Sequence, residues 1–253
     1  MAIKPEALSS MPSNSHNAVS PSVGPAMPLH DRVAISIGID IVTGILTEGS
    51  SLPTEREAVE QHGVSRTAYR EAIRSLVGKG LVSSRKKAGT RVNPRTEWSL
   101  LDSDVLSWMF SGKPTMSAVQ GLFELRLIVE PSAAGLAAVR RTDVQLSEMR
   151  EALELMERHG LRTEAGRAAD GRFHSLILEA TGNDFLRALT EPISTAIRWT
   201  TFLKFSPGRQ PRDPMGLHFE LFTAIAECNA TQAHTVSVQL LNQAREDTEV
   251  IID

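Results

Sequence analysis

Apolar positions recur along nearly the whole chain at helical spacing. From His30 onward Val33, Ile37, Ile41 and Ile45 follow one another four apart. They form one stripe of an amphipathic helix, opened by Asp31 as a cap. Thr54 and Glu57, three apart, make a capping box, and Gly63 ends the short helix that they open. Ser65 opens the next helix, whose buried side is Ala68, Ala72, Ile73 and Leu76. After Gly80 the pattern changes, and residues 81–83 and 90–92 read as paired strands around a basic, glycine-containing tip. Three helices and a two-stranded hairpin predict a winged helix-turn-helix over residues 30–96.

The next stretch, residues 97–114, carries Trp98, Leu100, Leu101, Val105, Leu106 and Trp108. It is too apolar for a free tether, so it predicts a docked helical linker capped by Asp102 or Ser103, its tryptophans packed between domains. Residues 115–253 show no strand alternation. Val119, Leu122 and Phe123 begin one helix, which Pro131 should bend; Leu146, Met149, Leu153 and Met156 mark a second. Further helices are predicted over about 163–181, 183–205, 215–228 and 230–253, with an irregular loop at 206–214. The fold class is therefore mainly α, a winged helix-turn-helix followed by an all-α antiparallel helical bundle with a polar centre.

Residues 1–29 hold five prolines and six serines without an apolar core. They read as a disordered arm rather than a signal peptide. A single cysteine, Cys228, excludes an internal disulfide and fits a reducing cytoplasm. No apolar run approaches the ~20 residues of a membrane span. The net charge of −3 hides an asymmetry. Residues 30–96 carry 11 Lys and Arg against 7 Asp and Glu, and residues 97–253 carry 15 against 22. Any attraction for nucleic acid belongs to the first part.

Within that part, Arg66, Arg70 and Arg74 stand at i, i+4 and i+8 with Thr67 beside the first. Such a cationic line suits the DNA major groove, where arginine bridges guanine O6 and N7 while other arginines hold phosphates. The plainer alternative is a solvated helix paired with Glu71 or Glu57. The hairpin tip, Arg85, Lys86, Lys87 and Gly89, can reach a neighbouring groove or phosphate. In the bundle, Asp170 and His174 project from one helix face four residues apart, and His218 on a later helix can close a third corner. This is a divalent-metal arrangement, and equally that of a carboxylate orienting core histidines. Used catalytically, the three would make a metal-dependent hydrolase. No nucleophile motif or phosphate loop accompanies them, and an enzyme would leave the basic domain unexplained.

The run GILTEGSSLPTEREAVEQHGVSRTAYREAIRSLVGKGLV, followed by the basic hairpin, resembles the DNA-binding domain of the GntR family of bacterial transcription factors. The resemblance implies DNA contacts from Arg56, Arg66 and Arg70, with Thr67 and Gly89 assisting. Tyr69 stands where an aliphatic residue is commoner and adds bulk to an inner or flanking face. ELRLIVEPSAAGLAA, DGRFHSLILEATGN and HFELFTAIAECNATQA resemble the all-helical FCD effector domain of the FadR branch. That implies a zinc-like ion on Asp170, His174 and His218. The fourth ligand's place falls at Leu240, with Gln239 and Gln243 nearby, leaving either an open three-ligand site or an empty one whose polar residues bind the effector directly. It also implies that Arg126 pairs with an effector carboxylate, although Glu130, four residues on, offers an internal partner. Arg198 and Trp199 are candidates for the same cavity.

WSLLDSDVLSWM joined to this domain is similar to the branch that represses galactonate and related sugar-acid operons. The expectation is a cytoplasmic homodimeric repressor, not an enzyme. It would sit on a pseudopalindromic double-stranded operator and be released by an aldonate such as galactonate. A metal-sensing regulator is the other binding-protein reading.

Overall fold

The structure, a computed structural model, describes residues 27–85, 89–111, 114–205 and 208–252, with only the backbone for Gln61, His62, Ile251 and Ile252. The expected arm over 1–29 lies almost wholly outside these residues, as do Lys86 and Lys87. The chain divides into two compact units, 1–109 and 110–253.

In the first unit α1 runs Leu29–Val42. It starts two residues ahead of the expected cap, placing Asp31 in the first turn, where its charge opposes the positive end of the helix. Helix α2 (Glu55–His62) opens on the Thr54–Glu57 capping box. The Thr54 amide donates to Glu57 Oε2 at 2.7 Å, and the Glu57 amide donates to Thr54 Oγ1 at 3.3 Å. Gly63 ends it at φ 64°, in the left-handed region that suits glycine. Ser65 Oγ accepts from the Ala68 amide at 3.1 Å and starts α3, Arg66–Gly78.

Tyr69, Ala72 and Leu76 are the buried residues of α3. The bulk of Tyr69 goes inward, and its hydroxyl donates to the Pro53 carbonyl at 2.5 Å, tying α3 to the segment ahead of α2. Strands β1 (Val82–Arg85) and β2 (Gly89–Val92) pair antiparallel, from Val82 opposite Val92 to Arg85 opposite Gly89. Helix α4 (Ser103–Phe110) is capped by Asp102, whose Oδ1 accepts from the Asp104 and Val105 amides. The same carboxylate takes Lys79 Nζ at 2.8 Å, and Asp104 takes it at 2.7 Å. Trp98 and Trp108 pack against the core of the first unit. Gly38 of α1 lies so close under the Trp108 indole that a Cβ there would overlap the ring.

The second unit has helices and connecting loops but no strand among its described residues. Its elements are α5 (Met116–Arg140), α6 (Asp143–His159), α7 (Glu164–Ala180), α8 (Asp184–Arg187), α9 (Thr190–Lys204), α10 (Met215–Ala226) and α11 (Ala230–Ile252). Pro131 sits inside α5, which continues through it with only the Leu127 carbonyl lacking its amide donor. One expectation changes. The span 183–205 is two helices, a short α8 capped by Asn183 Oδ1 and then α9. Helix α11 lies along α5, and α7 runs between α6 and α9. Met149, Leu153, Met156, Phe173, Leu176 and Ile193, all within 1% of complete burial, fill the apolar part of the core.

Candidate functional site

The exposed face of α3 carries Arg66, Thr67, Arg70 and Arg74. Arg66 and Thr67 stand in its first turn, immediately after the Ser65 cap. Arg70 meets Glu55 at 3.4 Å and Arg74 meets Glu71 at 2.9 Å, all four side chains more than two-fifths exposed. Arg56 reaches Glu60 only at 4.0 Å. Among the described residues Arg66 has no ion-pair partner. Pairs this exposed are worth well under ~1 kcal/mol each, so a phosphate can displace them. Arg85 and Gly89 face each other across the end of the hairpin, Gly89 at φ 78°. Between them lies the tip that holds Lys86 and Lys87, outside the described residues.

The second candidate lies inside the helical unit. Asp170 and His174 share one face of α7, as their spacing requires, and this helix is buried along most of its length. Gly171, beside Asp170, lets α9 come close: a Cβ there would stand 2.5 Å from Ser194 Oγ. The approach brings Thr201 of α9 to Asp170, its hydroxyl donating to Oδ2 at 3.1 Å. His218 enters from α10, and the Phe173 ring stands edge-on to both histidines. Asp170, His174 and His218 are all at most 5% exposed.

The hydrogen-bond roles of the rings determine what this cluster can hold. His218 Nδ1 lies 2.9 Å from the Pro214 carbonyl, which only accepts, so Nδ1 carries the proton. His174 Nδ1 lies 2.7 Å from Glu130 Oε2. Each ring therefore turns its Nε2 towards Asp170 Oδ1, at 3.2 Å for His218 and 3.6 Å for His174. His218 Nε2 is buried without a hydrogen-bond partner.

Three acceptors thus converge, their ligand atoms all within 4.8 Å of one another. Either a proton or a cation resolves that meeting. Tetrahedral zinc with bonds of ~2.1 Å sets its ligands ~3.4 Å apart, which the two histidine–Asp170 separations bracket. A ring whose other nitrogen is fixed by a carboxylate or a backbone carbonyl is also how metal-binding histidines are oriented. The residues fit a divalent cation. Leu240, at the fourth ligand's place, is buried in the apolar core, and Gln239 is exposed.

Glu130 links this cluster to Arg126, whose Nε donates to Glu130 Oε1 at 2.6 Å. Arg126 Nη1 reaches Thr200 Oγ1 at 3.4 Å. Burial pushes both buried carboxyls up, but their partners outweigh it. Arg126 and His174 bring Glu130 down to about 2, and His218, His174 and Lys204 hold Asp170 well below the usual carboxylate range. Lys204, 6% exposed at the end of α9, is lowered to about 8, burial outweighing the attraction of Asp170.

The structure also corrects one expected residue. Arg198 is not part of this buried cluster: it is half exposed and pairs with Glu164, because α9 turns Thr200, Thr201 and Lys204 inward instead. Trp199 stacks edge-on against Phe202. Sequence reasoning missed Lys204 and Thr201, although polar residues at 200, 201 and 204 form a stripe on one helix face.

Comparison with known proteins bears on both surfaces. The gntR family of bacterial regulatory proteins matches residues 29–92, and the FCD domain matches residues 121–243. The galactonate operon transcriptional repressor of Escherichia coli strain K12 is 33% identical over 213 residues, 83% of this chain and 93% of that protein. The Uxu operon transcriptional regulator of the same strain is 36% identical over 143 residues, 54% of this chain and 52% of its own. Among solved structures, Lar, which controls expression of the Listeria monocytogenes agr system, has the same fold. Its TM-score is 0.62 at 18% identity, over 89% of this chain and 98% of that one. Among the described residues no helix is long and apolar enough to cross a membrane.

Proposed function

We propose, from the premise that this chain belongs to the GntR family of bacterial regulatory proteins and is a DNA-binding transcriptional regulator rather than an enzyme, that it represses a sugar-acid catabolic operon and is released from its operator by an aldonate. The observation that carries the effector half is the convergence of Asp170 Oδ1 and two histidine Nε2 atoms in the interior of the helical unit, where Arg126 and Lys204 are buried as well.

Asp170, His174 and His218 would hold a divalent cation. Bound there, the cation supplies open positions that the carboxylate and adjacent hydroxyl of an aldonate can chelate. Glu130 keeps His174 oriented and fixes Arg126, and Thr201 steadies the far oxygen of Asp170. On the other unit, Arg66, Thr67 and Arg70 enter the major groove and read bases. Arg56, Arg85, Lys86, Lys87 and Gly89 hold the backbone beside it.

The protein acts in the cytoplasm as a homodimer, its two recognition helices spaced for half-sites one helical turn apart on a pseudopalindromic operator. Effector and operator then favour different dimer geometries. Linkage requires that DNA weaken effector binding by the factor by which effector weakens DNA binding. The test is an operator fragment from beside the protein's own gene, titrated with and without D-galactonate and related sugar acids. Operator affinity unchanged by all of them would leave a DNA binder without this switch. The converging acceptors also support a second reading, a metal sensor. Release on adding or chelating divalent ions alone, with no sugar acid present, would favour it.

A further inference from the structure

The expected carboxylate partner, Arg126, is already committed, its Nε held 2.6 Å from a buried carboxylate that offsets its charge. The other buried cation is not. Lys204 follows Thr200 by four residues and Thr201 by three, so the three share a face of α9. Thr200 meets Arg126 and Thr201 meets Asp170, which places Lys204 one turn further along the same buried face of α9.

The charges that act on Lys204 come from every side: Asp170 on α7, Arg126 on α5, Asp247 on α11 and Arg212 in the loop before α10. Both of these carboxylates are engaged elsewhere. Asp247 pairs with Arg212 at 2.8 Å, and Asp170 is held by Thr201 and faces the histidines. Among the described residues Lys204 forms no hydrogen bond or ion pair. One turn before Asp247 on α11, Gln243 has a buried Nε2 that also lacks a partner. A largely buried lysine whose neighbouring carboxylates are shared with other cations is costly, and chains keep such a group where a ligand supplies further negative charge.

We infer that Lys204, rather than Arg126, takes the effector's carboxylate, with Gln243 Nε2 donating to the same ligand and Arg126 acting as a positioning residue for Glu130 and His174. The inference rests on the sugar-acid reading above and names the residue that reads the acid group. A carboxylate bound beside Asp170 lies within a lysine's reach of this position, and its negative charge completes the balance around Lys204. A neutral sugar of the same shape gains nothing from it.

The experiment uses the full-length protein loaded with zinc. Binding of D-galactonate, D-gluconate and D-galactose is measured by titration calorimetry for the wild type, Lys204→Met, Lys204→Gln and Lys204→Arg. Losing a charge-assisted hydrogen bond should weaken aldonate binding about 10- to 100-fold in the Met and Gln variants, with much of the loss recovered by Arg. The weak binding of galactose should not change. Thermal melting separates this from a structural role: a lysine kept for the ligand leaves a Met variant melting at or above the wild type. Folded Met or Gln variants that bind aldonate as the wild type does would overturn the assignment to Lys204 alone. A wild type that binds no sugar acid would overturn the sugar-acid reading and this inference together.

Discussion

Replacing Glu130 with Gln removes the negative charge between Arg126 and His174 while keeping the shape of the side chain. The carboxyl is brought from its ordinary 4.5 down to about 2, burial opposing and Arg126 and then His174 prevailing. At about 1.4 kcal/mol per pH unit, that displacement stabilises the folded state by about 3 kcal/mol. Stripping one partner from a buried ion pair independently costs about 3–5 kcal/mol, so the two routes agree. Because the folded value lies below the unfolded one, the contribution is complete above about pH 4.5 and is lost as pH falls towards about 2. Urea unfolding followed by helical circular dichroism should therefore put E130Q about 3 kcal/mol below the wild type at pH 7. The gap should narrow by about 1.4 kcal/mol per unit once the pH drops under 4.5. Replacing Arg126 and Glu130 together with Met should recover most of the loss, since neither charge is then left alone. A Gln variant as stable as the wild type at neutral pH, or a gap that ignores acidification, would refute the reasoning.

Three other perturbations test the remaining parts. Arg66→Ala should weaken operator binding by about 1–3 kcal/mol and relax preference at one base position. Gel-shift titration against single-base operator variants reads this, and a uniform loss over all sequences would make Arg66 a phosphate contact instead. Zinc at about 100 times its dissociation constant should stabilise the second unit by about 2.7 kcal/mol. His218→Ala should abolish most of that gain in a thermal melt run with and without chelator, and an equal gain in the variant would remove His218 from the site. Gly38→Ala should force the Trp108 indole off α1 at about 1–3 kcal/mol, seen as a change in tryptophan fluorescence with a lower melting point, whereas an unchanged spectrum would mean that the indole does not rest there.

What could be read from the sequence was whatever short-range chemistry controls. Thr54 with Glu57, Gly63, Ser65 and Asp102 each act on backbone groups within three residues, so the helix boundaries around them needed no knowledge of the packing. The α8–α9 break did carry a local marker, Pro192 in the first turn of α9, where its missing amide costs nothing, whereas in a continuous helix its ring would clash with the Ala188 carbonyl. At Pro131 the local rule foresaw the lost hydrogen bond, while the continuation of α5 to Arg140 goes with its packing along α11. Lys79 was silent, because its two carboxylate partners lie more than twenty residues away.

The buried site divides along the same line. Asp170 and His174 were legible because one helix carries both, and Glu130 was visible as the neighbour of Arg126 for that reason. That Glu130 spans from Arg126 to His174 depends on how α5 lies against α7, which no spacing within either helix encodes. Arg198 and Lys204 show the cost of lacking that reference. They differ by six residues, about 240° around a helix of 3.6 residues per turn, so on one helix only one of them could point inward. The adjacent threonines were the available clue. A hydroxyl that bonds its own helix backbone is at home in a core, as Thr200 is with the Ala196 carbonyl, whereas an arginine beside Ile197 and Trp199 can reach solvent by its length alone. The stripe of small polar residues ending in lysine, rather than the lone arginine, was therefore the better guide to the face of α9 that meets the ligand.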